Sequence, residues 1–66
     1  MVNNRLRELR TRKGLSQQQA GKLVGVSRQT ISRIERREYC PSVELAMKLA
    51  SQFDVKVDEL FAFDGN

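Results

Sequence analysis

The sequence predicts an all-α fold: a compact bundle of five short helices in one domain over residues 1–66. Three observations lead there. Apolar residues recur at helical steps, most clearly as Leu45, Ala46, Leu49, Ala50 and Phe53, which marks one face of a helix. Serines stand directly ahead of three such runs, at Ser16, Ser27 and Ser42, where a hydroxyl can accept from the free amides of a first turn. The third observation is a constraint. A chain of 66 residues with one cysteine and no histidine has neither an internal disulfide nor a cysteine/histidine metal site to staple it. Efficient helix packing, with help from a partner subunit where needed, must supply the stability.

The elements follow in order. The first helix is expected over about residues 4–13, with Asn3 or Asn4 as its cap and Leu6 and Leu9 facing the core. Gly14 ends it and Leu15 turns inward. Ser16 opens the second helix, and Ser16-Gln17-Gln18-Gln19 has the spacing of a capping box. Ala20, Leu23 and Val24 should give its inner face before it stops at Gly25. Ser27 caps a third helix running to about residue 36, with Ile31 and Ile34 inward. Helix, glycine-bearing turn and serine-capped helix make a helix-turn-helix over about residues 16–36. Residues 38–41 connect to the fourth helix, which Ser42 caps. Val55 and Val57 pin a short turn, and residues 58–61 form one last helical turn, its acidic residues suiting the N-terminal end. Ala62 and Phe63 can pair as a tiny strand with Val2 and Asn3.

Charge narrows the function. The net charge is +4, but residues 1–37 carry ten basic and two acidic side chains, a net of +8, while residues 38–66 carry two basic and six acidic ones, a net of −4. One half is built to meet an anion. A nucleic acid is the first candidate, and on charge alone a lipid surface is the alternative. The leading MVNNRLRELR is polar and basic, with no apolar run behind it, so no signal peptide or membrane span is expected and the protein should be cytoplasmic. Enzyme chemistry finds no footing. There is no histidine, the acidic residues are scattered, and the glycines at 14, 21, 25 and 65 are isolated. Neither a cofactor nor a metal is expected. Cys40 stands alone beside Pro41 and reads as incidental, because a redox role would need an activating neighbour. Met47 reads as a filler on a helix surface or in the core.

The outward face of the third helix is the candidate site. An α-helix fits the DNA major groove, and the N-terminal residues of such a helix point at base edges. Gln29 can offer a paired donor and acceptor to adenine, and Arg28 and Arg33 can fork to guanine. Thr30 and Ser32 are smaller and suit a thymine methyl or a phosphate. Gln17, beside the free amides of the second helix, makes a phosphate-clamping end, with Gln18 next to it. Arg36, Arg37 and Tyr39 follow the third helix and can hold the other side of the strand, giving affinity and salt dependence rather than discrimination. A polar helix face also serves solubility alone, and that alternative stays open on these residues.

The segment SQQQAGKLVGVSRQTISRIERREYCPS, with the leading basic helix and the closing VDELF, resembles the Cro/C1-type (XRE-like) helix-turn-helix family of transcriptional regulators. The resemblance covers almost all of the chain. It implies a five-helix, lambda-repressor-like fold, major-groove binding to double-stranded operator DNA, and homodimers on near-palindromic sites. It implies phosphate contacts from Gln17 and the Ser27 region, and it puts Arg28, Gln29 and Arg33 on base-reading positions. Arg10 and Glu35 match a pair that commonly bridges the first and third helices. Their opposite charges on otherwise amphipathic helices support that bridge independently, and it would be partly buried. The chain departs from the family where glutamate, leucine and alanine are usual and Gln19, Ala20 and Gly21 stand instead. Ala20 takes volume from the core. Gly21 allows close approach and weakens the helix by roughly 0.5–1 kcal/mol relative to alanine.

The function implied is a repressor. The alternative is an antitoxin that binds its operator and a partner toxin, although such proteins usually carry an extra segment and this chain has almost none. A module that only binds proteins would show an eroded recognition helix, and this one keeps arginine and glutamine. A dimer interface should lie away from the DNA face, at Val57, Phe61 and Phe63, joined by Val2 if the termini pair. The alternative is that these phenylalanines cap the monomer core.

Overall fold

The computed structural model describes residues 2–63, and for Val2 and Phe63 the backbone alone. Its elements are β1 (Val2–Asn4), α1 (Leu6–Arg12), α2 (Gln17–Val24), α3 (Arg28–Glu35), α4 (Val43–Gln52), α5 (Val57–Leu60) and β2 (Phe61–Phe63). The five helices surround one core, and the two short strands join the chain ends.

Local chemistry sets most of the helix starts. At α2 the capping box is complete: the Gln19 amide donates to Ser16 Oγ at 3.0 Å and the Ser16 amide to Gln19 Oε1 at 2.8 Å. Ser27 Oγ accepts from the Thr30 amide at 3.3 Å, and Ser42 Oγ from the Leu45 amide at 3.2 Å. The first helix begins at Leu6, two residues later than the sequence suggests. Asn4 belongs to β1 instead, and from there its Oδ1 still accepts the Leu6 amide at 3.1 Å. Val57 lies inside α5 rather than in a turn before it, and Phe61 opens β2 rather than closing the helix. The strands pair antiparallel, with Val2 opposite Phe63, Asn3 opposite Ala62 and Asn4 opposite Phe61. The pairing thus takes in Asn4 and Phe61 beyond the expected residues.

The first four helices end alike. A residue with positive φ follows each of them: Gly14, Gly25, Arg37 and Asp54, at 70°, 78°, 62° and 56°. The next residue's amide then donates to the carbonyl five positions back. These bonds are Leu15 to Arg10, Val26 to Gly21, Glu38 to Arg33 and Val55 to Ala50, all within 2.9–3.1 Å. The reversal satisfies carbonyls that the helix end leaves free, and an apolar contact normally accompanies it. Leu15, Val26 and Val55 make that contact, each partly buried against the core. Glu38, at the end of α3, is exposed. The exit from α3 alone is charged at both positions, and a left-handed arginine is costlier than a glycine there.

Leu6, Ile31, Ile34, Leu49 and Leu60 are the largest fully buried side chains, with Leu9, Val24, Leu45 and Phe53 around them. One expected core residue is misplaced: Leu23 is 49% exposed. The buried face of α2 is Ala20, Gly21 and Val24, because that helix presses its backbone inward at Gly21. A β-carbon there would lie 2.5 Å from the Val26 carbonyl oxygen and 3.2 Å from that of Ser27. The close approach packs α2 directly on the turn that leads into α3. Among the described residues no helix is long and apolar enough to cross a membrane.

Candidate nucleic-acid interface

The site is built on α3, and several ties fix that helix. Ile31 and Ile34 anchor its inner face with no exposed surface. Asn4 Nδ2 donates to the Ile34 carbonyl at 2.9 Å, joining β1 to the helix. At the C-terminal end, Glu35 is held by Arg10. Arg10 Nε donates to Glu35 Oε2 at 2.6 Å, and Nη2 to Oε1 at 3.2 Å. The third guanidinium nitrogen, Nη1, donates to the Leu15 carbonyl at 2.8 Å. The two side chains are only 11% and 5% exposed. Paired N–H···O bonds of this kind combine charge with fixed geometry. Gln17 Nε2 also donates to Glu35 Oε1, at 3.1 Å. One carboxylate therefore joins α1, α2 and α3.

With α3 locked, its polar face is presented outward in one orientation. Arg28, Gln29 and Arg33 are exposed. None of the ion pairs among the described residues involves Arg28 or Arg33. Gln17, Arg28, Gln29, Ser32, Arg33 and Arg36 line one shallow hollow, so the first turn of α2 and the outer face of α3 form a continuous surface. The other candidates are more engaged. Thr30 is half-buried, with its hydroxyl 3.2 Å from that of Ser27, so both hydroxyls serve the helix cap. Ser32 is half-buried. Arg36 donates from Nε to the Ser32 carbonyl at 3.4 Å and sits 3.4 Å from Glu38. Gln18 and Arg37 are exposed, and the Tyr39 ring lies 5.8 Å from the Arg33 guanidinium carbon.

Three ties escape the sequence reading: Gln17 to Glu35, Asn4 to Ile34, and Lys13, whose Nζ donates to the Gln52 carbonyl at 3.0 Å and lies 5.8 Å from the Phe53 ring. Each joins residues distant in the chain, and no local pattern announces such a contact.

The residues expected at a dimer interface separate. Val57 is 39% exposed, whereas Phe61 is half-buried against the core. The side chains of Val2 and Phe63 lie outside the described residues. Among the described residues no group of three or more histidine, cysteine, aspartate or glutamate side chains is placed to hold a metal ion. Cys40 is exposed and Met47 lies on the surface of α4.

Known proteins share this fold and much of this sequence. A helix-turn-helix family model matches residues 6–60. The uncharacterized HTH-type transcriptional regulator YgzD of Bacillus subtilis (strain 168) is 43% identical over 60 residues, which are 91% of each chain. The restriction-modification controller protein C.AhdI from Aeromonas hydrophila superposes with a TM-score of 0.76 at 42% identity over 83% of each chain. The P22 c2 repressor, solved in complex with synthetic operator 9T, superposes with a TM-score of 0.80 at 35% identity over 82% of each chain. The match spans both helices of the motif and the packing around them, and this chain belongs to the Cro/C1-type (XRE-like) helix-turn-helix family of DNA-binding transcriptional regulators.

Proposed function

We propose that this protein is a cytoplasmic repressor that binds a palindromic operator as a homodimer, inserting α3 into the major groove. The observation that carries the reading is the outer face of α3. Exposed Gln29 and Arg33 lie one helical turn apart on a helix whose rotation is fixed by Ile31, Ile34 and the Glu35–Arg10 pair. Residues four apart share a face, so both reach the same stretch of groove. Gln29 reads adenine, Arg33 reads guanine, and Arg28 reads a base or the neighbouring phosphate. Gln17 holds a phosphate with the second N–H of its side-chain amide and the first-turn backbone amides of α2, while the first N–H stays on Glu35. Ser27, Thr30, Ser32, Gln18, Arg36 and Arg37 complete the contact as smaller or backbone-directed groups. The operator-bound P22 c2 repressor shares this fold, which supports both the repressor role and the docking.

Dimerisation follows from information content. One recognition helix touches too few base pairs to find a single site in a genome, and two copies related by a two-fold axis double the footprint. Val57 on α5, with the strand pair β1–β2 that joins the chain ends, is the surface proposed to meet the second copy.

Binding titrations at fixed salt test the readers. Gln29→Ala and Arg33→Ala should each weaken operator binding by roughly 1–3 kcal/mol and relax preference at one or two positions. Gln17→Ala should weaken all duplexes nearly alike, because a phosphate contact is blind to the base. Unchanged base preference in both α3 variants would refute this assignment and point to Thr30, Ser32 or DNA shape.

A further inference from the structure

The charged exit from α3 has a geometric product. Arg37 takes a left-handed conformation, and the Glu38 amide donates back to the Arg33 carbonyl at 2.9 Å. The chain reverses there and returns toward the helix it has just left. That return puts the Tyr39 ring 5.8 Å from the Arg33 guanidinium carbon, within cation–π range, with the ring still 41% exposed. Glu38, the nearby acid able to draw Arg33 away, is paired with Arg36 at 3.4 Å. The ring attracts the guanidinium through its π-electrons and uses none of the N–H donors. The fork that binds a guanine edge stays available, while the long, flexible arginine stem is held.

We propose that Tyr39 is a positioning residue for base readout: its ring holds the Arg33 guanidinium ready for the groove and thereby sets how strongly guanine is preferred at one base pair. The proposal rests on the reading of Arg33 as a base reader given above. It assigns the ring, rather than the hydroxyl, as the working part of Tyr39. A hydroxyl donating to phosphate would act on every sequence equally, whereas a ring acting through Arg33 changes discrimination.

The test uses the duplex that the wild-type protein enriches from a random DNA pool, and single-base variants of it, with wild-type protein, Tyr39→Phe, Tyr39→Leu, Arg33→Ala and the Tyr39→Leu/Arg33→Ala double variant. Tyr39→Leu should lower the preference for guanine at the Arg33 base pair by about two- to fivefold, the scale of an exposed cation–π contact. Preference elsewhere should not change. Tyr39→Phe should keep the wild-type preference, and Tyr39→Leu should have no further effect on preference once Arg33 is gone. In the free protein, NMR should show the Arg33 side-chain methylene protons shifted upfield by the ring in wild type and Tyr39→Phe, and unshifted in Tyr39→Leu. A Tyr39→Leu loss spread evenly over all duplexes, an equal loss in Tyr39→Phe, or the same loss of preference without Arg33 would each overturn the positioning role alone. Unchanged preference in Arg33→Ala is a separate result: it removes the reader itself, and the proposal with it.

Discussion

Replacing Glu35 by alanine should cost this protein a large share of its stability. In the folded chain Arg10 spends two guanidinium nitrogens on Glu35 and the third on the Leu15 carbonyl. The variant would leave the guanidinium of a side chain that is 11% exposed in the intact protein with one carbonyl partner, and it would free the Gln17 amide as well. Breaking a buried pair by removing one partner costs about 3–5 kcal/mol. The small opening to solvent at Arg10 lets water recover part of that, so about 2–4 kcal/mol is expected. A domain of 66 residues has a total stability of roughly 3–10 kcal/mol. A 3 kcal/mol loss corresponds to a fall in melting temperature on the order of 12–24 °C. Urea unfolding followed by circular dichroism measures it, with the denaturant slope checked for constancy. The companion variant is Arg10→Met/Glu35→Leu, which removes both charges and keeps the volume. It should recover at least half of the single variant's loss, since neither charge is left buried alone and only the Leu15 carbonyl and the Gln17 amide lose a neutral partner. A Glu35→Ala protein within about 0.5 kcal/mol of wild type, the ordinary scatter of surface mutations, would refute the bridge. So would a double variant as unstable as the single one, because the loss would then come from packing.

Other expectations follow from single features of the fold. Arg37→Gly should stabilise the protein by about 0.5–1 kcal/mol by relieving the left-handed arginine, while weakening DNA binding and lowering the slope of log K against log salt by about one phosphate contact. Thermal melts and a salt titration on the same samples would show the two effects moving in opposite directions. Leu23→Gln should change stability by no more than about 0.5 kcal/mol, because Leu23 is half exposed; a loss near 2 kcal/mol would mean that it is buried in solution. Val57→Glu should shift the monomer–dimer equilibrium toward monomer, measured by sedimentation over a concentration series, without altering the melting temperature of the monomer by more than about 0.5 kcal/mol in equivalent stability.

Much of the fold is legible in the sequence because its helix boundaries are written locally. Ser16, Ser27 and Ser42 each cap the helix they precede, and Gly14 and Gly25 each close one. The core stripe of α4 follows the helical period from Leu45 to Phe53. Where local reading fails, a tertiary contact has overridden it. Leu23 fits the inward pattern of α2, but the backbone approach at Gly21 turns the helix so that Leu23 faces out. Asn4 reads as the first residue of a helix, but pairing with Phe61 draws it into a strand. The exposed face of α3 is legible because a helix with Ile31 and Ile34 buried leaves its other side to Arg28, Gln29 and Arg33. The placement of Tyr39 is not legible. It depends on the reversal at Arg37, and nothing in an arginine signals positive φ.

We propose that α3 reads DNA sequence on a two-fold operator. Selection of bound duplexes from a random pool, using the full chain at moderate salt, tests it most directly. The expected result is enrichment of a palindrome whose half-sites are centred about one helical turn, roughly 34 Å, apart, with guanine and adenine preferences that Arg33→Ala and Gln29→Ala relax. Recovery of no common sequence, with binding that depends on length and salt alone, would contradict it.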